Sequence, residues 1–200
     1  MTTRRDPAQS LSALFQRINA LKRLPRTGWL LAGVPRAESL ADHTAAVALF
    51  TLFLAEAINQ DWQGQGLESP LDVHRAVALA LLHDLAESVL TDLPRQAAQA
   101  LGPQTKQDAE SRTIAELLGE VPGGPELARL WHEYQRAASP EARLVKDVDR
   151  LEMVHQALCY TEAGHRNLQE FLDGHHWHYP LCAHLYGEMH RHFSHWSTRP

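Results

Sequence analysis

His83-Asp84 closes the most apolar stretch of this sequence, Val77-Ala78-Leu79-Ala80-Leu81-Leu82, a setting that strips an ionised carboxylate of its hydration. Leaving such a charge unpaired costs several kcal/mol, and no lysine or arginine occurs between Arg75 and Arg95 to answer it. A divalent cation is one solution. Adjacent helical residues lie about 100° apart, so an ion seated off the axis is reached by both side chains. Further ligands then come from other helices. His43 shares a stripe with Val47, Phe50, Leu54 and Ile58, while Asp147 and Asp149 lie among Leu144, Val148, Leu151 and Leu158. Two residues apart on a helix, these aspartates diverge, and only one of them can face the site. Imidazole with carboxylate suits one divalent ion, Mn²⁺, Co²⁺, Fe²⁺, Ni²⁺, Zn²⁺ or Mg²⁺, and leaves positions for water. Such an ion lowers the pKa of water from 15.7 toward about 7 and polarises a phosphoryl oxygen. The chemistry indicated is hydrolysis of a phosphate ester.

Glu87 falls one helical turn after His83 and is placed to orient water or protonate a leaving oxygen. Each of these residues also has an ordinary reading. A lone histidine on an apolar stripe is commonly a satisfied core residue, and single acidic residues are commonly caps, turn residues or ion-pair partners. Seven of the 13 histidines crowd between His175 and His195. There His184, Glu188 and His192 recur every four residues, but without an apolar setting, and we read a solvated or dimer-facing helix with Trp177 and Trp196 as its core anchors.

The elements that must position these residues are helices. Leu11, Leu14, Phe15, Ile18 and Leu21 give a first helix ending near Lys22, where Pro25, Gly28, Gly33 and Pro35 interrupt the pattern. Ser39 is a plausible N-cap for a helix to about Asn59. Pro70 suits a first turn, and 71–89 reads as one apolar helix, stopped by Thr91-Asp92-Leu93-Pro94. Helices are expected over 104–118, through Trp131 and Tyr134, and from a Ser139-Pro140-Glu141 cap to about Ala163. No segment alternates like a strand. The expectation is an all-α bundle.

With 200 residues and 44% apolar content, one core and one domain over 1–200 are the default. Cys159 and Cys182 have no disulfide or metal spacing, which fits a reducing compartment, the cytoplasm. The opening MTTRRDPAQS lacks the apolar run of a signal peptide, and Ala45 to Ala55, broken by Thr51, reads as too short to span a membrane. A net charge of −5 with 19 basic residues excludes a broad cationic face for a nucleic-acid polymer.

Five segments, KRLPRTGW (Lys22 to Trp29), RAESLADH (Arg36 to His43), ALLHDLAES (Ala80 to Ser88), TDLP (Thr91 to Pro94) and LVKDVDRLEM (Leu144 to Met153), resemble in type and order the HD-domain metal-dependent phosphohydrolases, in particular their 5′-deoxynucleotidase group. The resemblance covers about 12–175, leaving the His-rich segment 175–200 outside it. It implies a compact helical HD-domain bundle, commonly a homodimer, that hydrolyses nucleoside 5′-monophosphates to nucleoside and phosphate. It also implies residue roles. His43, His83, Asp84 and Asp149 match the metal ligands, which selects Asp149 over Asp147. Arg23 matches a phosphate-binding arginine, with Arg36 second for that contact, and Glu87 and Asp92 match acidic residues required near the metal. Leu24 stands where the bacterial deoxynucleotidases carry a tryptophan near the sugar, so the preference between deoxyribose and ribose stays open. The rival expectations are an HD hydrolase of a triphosphate or nucleotide-derived alarmone, and a non-catalytic helical module that binds a nucleotide or a protein partner.

Overall fold

The computed structural model describes residues 6–196, with side chains through 193. Among these residues the structure is helical, with one isolated antiparallel bridge between Pro25 and Ser39. That bridge and a capping box set the start of the central helix, α3 (Leu40–Gln60). The Ser39 hydroxyl accepts from Asp42 N–H at 3.1 Å, and Asp42 Oδ2 accepts from Ser39 N–H at 2.9 Å. Two otherwise orphaned donors are thereby satisfied. His43 sits one turn inside, on the same inner face as the buried Val47, Thr51, Leu54 and Ile58.

The main core gathers α3, α4 (Val73–Leu82), α8 (Gly124–Gln135), α9 (Pro140–Glu162) and α11 (Pro180–Trp196). By length and composition α3 is long and apolar enough to cross a membrane, with a mean hydropathy of 1.4 over its best window. The apolar run 45–55 is the middle of this helix, and Thr51, which interrupts the run, is buried on the inner face. Its packing between α4 and α9 makes it the core helix of the bundle. The opposite face leaves Leu49 and Phe53 exposed.

A second cluster joins α1 (Pro7–Ile18), α5 (Glu87–Leu90), α7 (Pro103–Leu118) and α8. A 3₁₀ turn, Asn19–Lys22, extends α1 to the boundary expected from sequence. A third, smaller cluster places Trp29 of α2 (Thr27–Leu31) against Ala157 and Leu168, beside α10 (Gln169–Leu172). With α6 (Arg95–Leu101), α2 and α10 were not foreseen, because four to seven residues are too few to show a helical period.

The helix expected over 71–89 differs at both ends. It starts after Asp72, whose carboxylate caps Arg75 N–H at 3.0 Å, leaving Pro70 outside. It also breaks after Leu82. Leu85, Glu87 and Ser88 donate to carbonyls three residues back, a tighter winding than an α-helix. α5 then ends at Thr91, whose φ of 64° and ψ of 167° are costly for a β-branched residue. The His-Asp pair therefore sits in a turn, and Asp92 is thrown back toward the start of α2.

The candidate active site

Two helices, α3 and α9, and the turn at 83–86 bring His43, His83, Asp84 and Asp149 together. His43 Nε2 lies 3.3 Å from His83 Nε2, 3.2 Å from Asp149 Oδ1 and 3.6 Å from Asp84 Oδ2. Asp84 Oδ2 is 3.0 Å from His83 Nε2. Both imidazoles are turned by their other nitrogen. His83 Nδ1–H donates to the Ala80 carbonyl at 2.6 Å, and His43 Nδ1 meets Glu152 Oε2 at 2.5 Å. Those bonds leave a lone pair on each Nε2, so two lone pairs and two carboxylates converge on one point. Such a donor set repels itself unless a cation joins it, and it fits a divalent ion with water in the remaining positions. The same demand for positive charge shows in the titration of the cluster. Burial and Arg26 lower the His43 pKa, yet the hydrogen bonds to Asp149 and Glu152 outweigh them and raise it to about 10. Against the upward push of burial, His83 and His43 bring Asp84 down to about 2, and His43 with His83 holds Asp149 well below the carboxylate range.

Asp147 faces the other way. It is fully buried and accepts from His178 N–H at 2.7 Å, Tyr179 N–H at 3.0 Å and His178 Nδ1 at 2.7 Å, tying the segment before α11 to α9. Asp147→Ala is therefore expected to lower the unfolding free energy by about 3 kcal/mol, as read by urea denaturation, while the metal content per folded chain is unchanged.

A cavity of about 260 Å³ opens on the cluster, lined among others by Arg26, Glu87, Asp92, Lys106 and Lys146. Glu87 is an acidic member of this lining. Burial first, then Asp84 and Asp92, hold its pKa well above the ordinary value despite Arg26 and Lys106, and its Oε2 is buried without a hydrogen-bond partner. Asp92 Oδ2 accepts from Thr27 N–H at 2.5 Å, and Thr27 Oγ1 donates to the Asp92 carbonyl at 3.1 Å. These contacts, with Arg26 N–H donating to the Glu38 carbonyl at 3.0 Å, pin the backbone on either side of Arg26. Its Nη1 reaches 3.5 Å from Asp84 Oδ2.

Arg23 and Arg36 are exposed and line neither this cavity nor its neighbour. Sequence reasoning passed over Arg26, although it stands within KRLPRTGW, because only the bridge to Ser39 and the contact with Asp92 bring it inward. It also passed over Lys146 and Tyr134. Tyr134 O–H donates to Asp149 Oδ2 at 3.0 Å, and Lys146 Nζ lies 3.5 Å above the Tyr134 ring centroid. Burial lowers the Lys146 pKa more than Asp149 and Asp84 restore it.

Arg26, Asp92, Leu93 and Met153 also border a second cavity of about 400 Å³, walled by Trp29, Leu31 and Phe171. Trp29 and Phe171 pack with ring centroids 4.3 Å apart. Leu24 lines neither cavity, and Trp29 supplies an indole to the larger one. In the histidine-rich helix, His184 and Glu188 approach to 3.5 Å with both side chains exposed. Trp177 packs partly buried against the main core, and the Trp196 side chain lies outside the described residues.

An HD domain family model matches residues 18–178. The human protein named 5′-deoxynucleotidase HDDC2 is 33% identical over 171 residues, which cover 83% of this chain and 76% of that one. The Dictyostelium discoideum protein of the same name is 34% identical over 182 residues, covering 86% of this chain and 92% of its own. Among solved structures, a conserved hypothetical protein from Pyrococcus furiosus is 41% identical with a TM-score of 0.69, over 80% of this chain and 84% of that one.

Proposed function

This chain belongs to the HD domain family, and on that premise we propose that it hydrolyses nucleoside 5′-monophosphates, deoxyribonucleotides among them, to nucleoside and phosphate. The observation that carries the reading is the convergence of two imidazole nitrogens and two carboxylates at one end of a cavity that also holds a half-buried arginine and a carboxyl whose pKa is raised by burial. Relatives named 5′-deoxynucleotidase support the choice of substrate.

His43, His83, Asp84 and Asp149 would hold one divalent ion, which would supply Lewis acidity toward water and a phosphoryl oxygen. Arg26 presents a planar guanidinium to the phosphate, the part expected of Arg23, and Lys146 brings a second positive charge to the same cavity. Glu87 donates its proton to the departing 5′-oxygen, and Asp92, fixed by Thr27, orients water at the boundary of the two cavities. The larger cavity, with Trp29, Phe171 and Met153 on its walls, is of a size to take the nucleoside.

Arg26→Ala is expected to lower kcat/KM by about 100-fold, or ~2.7 kcal/mol, mainly through KM, with Arg23→Ala and Arg36→Ala within about twofold of wild type. An equal loss in Arg23→Ala would move the phosphate contact to Arg23. The reading as a whole is tested by phosphate release from the common ribo- and deoxyribonucleoside monophosphates beside the matching triphosphates, with chelator controls. Phosphate and nucleoside from monophosphates support it, and release of pyrophosphate or triphosphate alone refutes it.

The protein works as a homodimer in the cytoplasm on this reading. The exposed Leu49 and Phe53 on α3 offer an apolar face for a second copy, and two free cysteines fit a reducing compartment.

A further inference from the structure

The His43 imidazole is gripped from both sides by one turn of α9. Asp149 approaches Nε2 at 3.2 Å, and Glu152, three residues later on the same face, meets Nδ1 at 2.5 Å. Glu152 is only 4% exposed, so its carboxylate has given up water for this contact. Behind it stands a second acid. Glu38 accepts from the Trp29 indole N–H at 2.9 Å, and carboxylate oxygens of Glu38 and Glu152 and a ring nitrogen of His43 all lie within 4.8 Å of one another. Two carboxyl groups are thus concentrated on one N–H in the interior. The companion ligand is supported differently: His83 Nδ1 donates to a neutral carbonyl, that of Ala80.

We propose that Glu152, backed by the Trp29-anchored Glu38, is a positioning residue that fixes the His43 tautomer and strengthens Nε2 as a donor to a divalent ion. The inference rests on the reading of His43, His83, Asp84 and Asp149 as a metal site. A carboxylate that accepts the far N–H of a histidine holds the ring in orientation and increases the electron density on the ligating nitrogen, and loss of such a partner costs 10–100-fold in metal affinity. A carbonyl does the first more than the second. His43 is then the electronically tuned ligand of the pair, and Trp29, which also walls the larger cavity, links the nucleoside compartment to that tuning.

The test is titration of chelator-stripped protein, purified without nickel resin, with Mn²⁺ alone by calorimetry, alongside thermal unfolding of the stripped proteins. Wild type is expected to take up one Mn²⁺ per chain. Glu152→Gln keeps the size and an acceptor oxygen but removes the charge, and its dissociation constant rises by about tenfold, against up to about a hundredfold in Glu152→Ala. Glu38→Gln weakens binding in the same direction and by less. Unchanged Mn²⁺ affinity in Glu152→Gln, with or without a lower melting temperature, overturns the proposal. If Glu152→Ala does not fold, Glu152→Gln decides. Failure of wild type to bind Mn²⁺ overturns the four-ligand reading as well, whereas binding that is indifferent to Glu152 overturns only this inference.

Discussion

Asp84→Ala is expected to emerge from purification without a bound divalent ion and to hydrolyse nucleoside monophosphates at least about a thousandfold more slowly, a loss of ~4 kcal/mol in transition-state stabilisation. The reason is the position of its carboxylate. Oδ2 lies 3.0 Å from His83 Nε2, 3.6 Å from His43 Nε2 and 3.5 Å from Arg26 Nη1, so one oxygen serves both the donor cluster and the arginine proposed to bind phosphate. Its removal leaves two imidazoles and Asp149 and also releases Arg26. Asp84→Asn, which keeps the volume, separates the charge from the packing and is expected to lose metal nearly as completely. Elemental analysis of the purified proteins and phosphate release measure the two effects. An Asp84→Ala protein that kept its metal and its turnover would remove the basis for the assignment.

Glu87→Gln should behave in the opposite way toward the metal. The variant is expected to bind Mn²⁺ as wild type does and to lose about 10²- to 10⁴-fold in kcat, the range of a general acid. Burial and the neighbouring Asp84 and Asp92 hold the Glu87 pKa well above that of an ordinary glutamate, a shift that favours the acid form. The wild-type rate should therefore fall as pH rises through that pKa, and the descending limb should vanish in Glu87→Gln. Stability has the same sign. A buried carboxyl with a raised folded-state pKa costs least while protonated, and wild type should lose stability relative to Glu87→Gln as pH rises through that pKa. A pH–rate profile unchanged in shape by Glu87→Gln would withdraw Glu87 from proton transfer.

What the sequence disclosed and what it concealed divide along a physical line. Asp84 was legible because an apolar run without a cation cannot easily carry it, and His43 because it shares a helical stripe with Val47, Phe50, Leu54 and Ile58. Those are local properties. The long helices α3, α7 and α9 repeat over four turns or more, so their periods stand out. Arg26 was not legible, since nothing beside it in the chain draws it inward. Its place depends on the Pro25–Ser39 bridge and on Asp92, 65 residues from Thr27. The break after Leu82 was hidden by a continuous apolar pattern that serves an α-helix and a tighter turn equally well. Glu152 was hidden for a related reason, being an acidic residue in a polar helix whose only mark is a histidine 109 residues away. Asp147 and Asp149 could be told apart only by resemblance until the segment before α11 supplied three donors to Asp147.

The central claim is that these four ligands and the cavity beside them make a metal-dependent nucleoside 5′-monophosphate hydrolase. Its most direct test is a titration of chelator-stripped wild-type protein with Mn²⁺ or Co²⁺, following phosphate release from a deoxyribonucleoside 5′-monophosphate against bound metal. The account predicts no release from the stripped protein and a linear gain in activity that levels off at one ion per chain, with nucleoside and phosphate formed in equal amounts. Hydrolysis that persists undiminished in the stripped protein, or metal that binds at one per chain without releasing phosphate from any monophosphate, would contradict it.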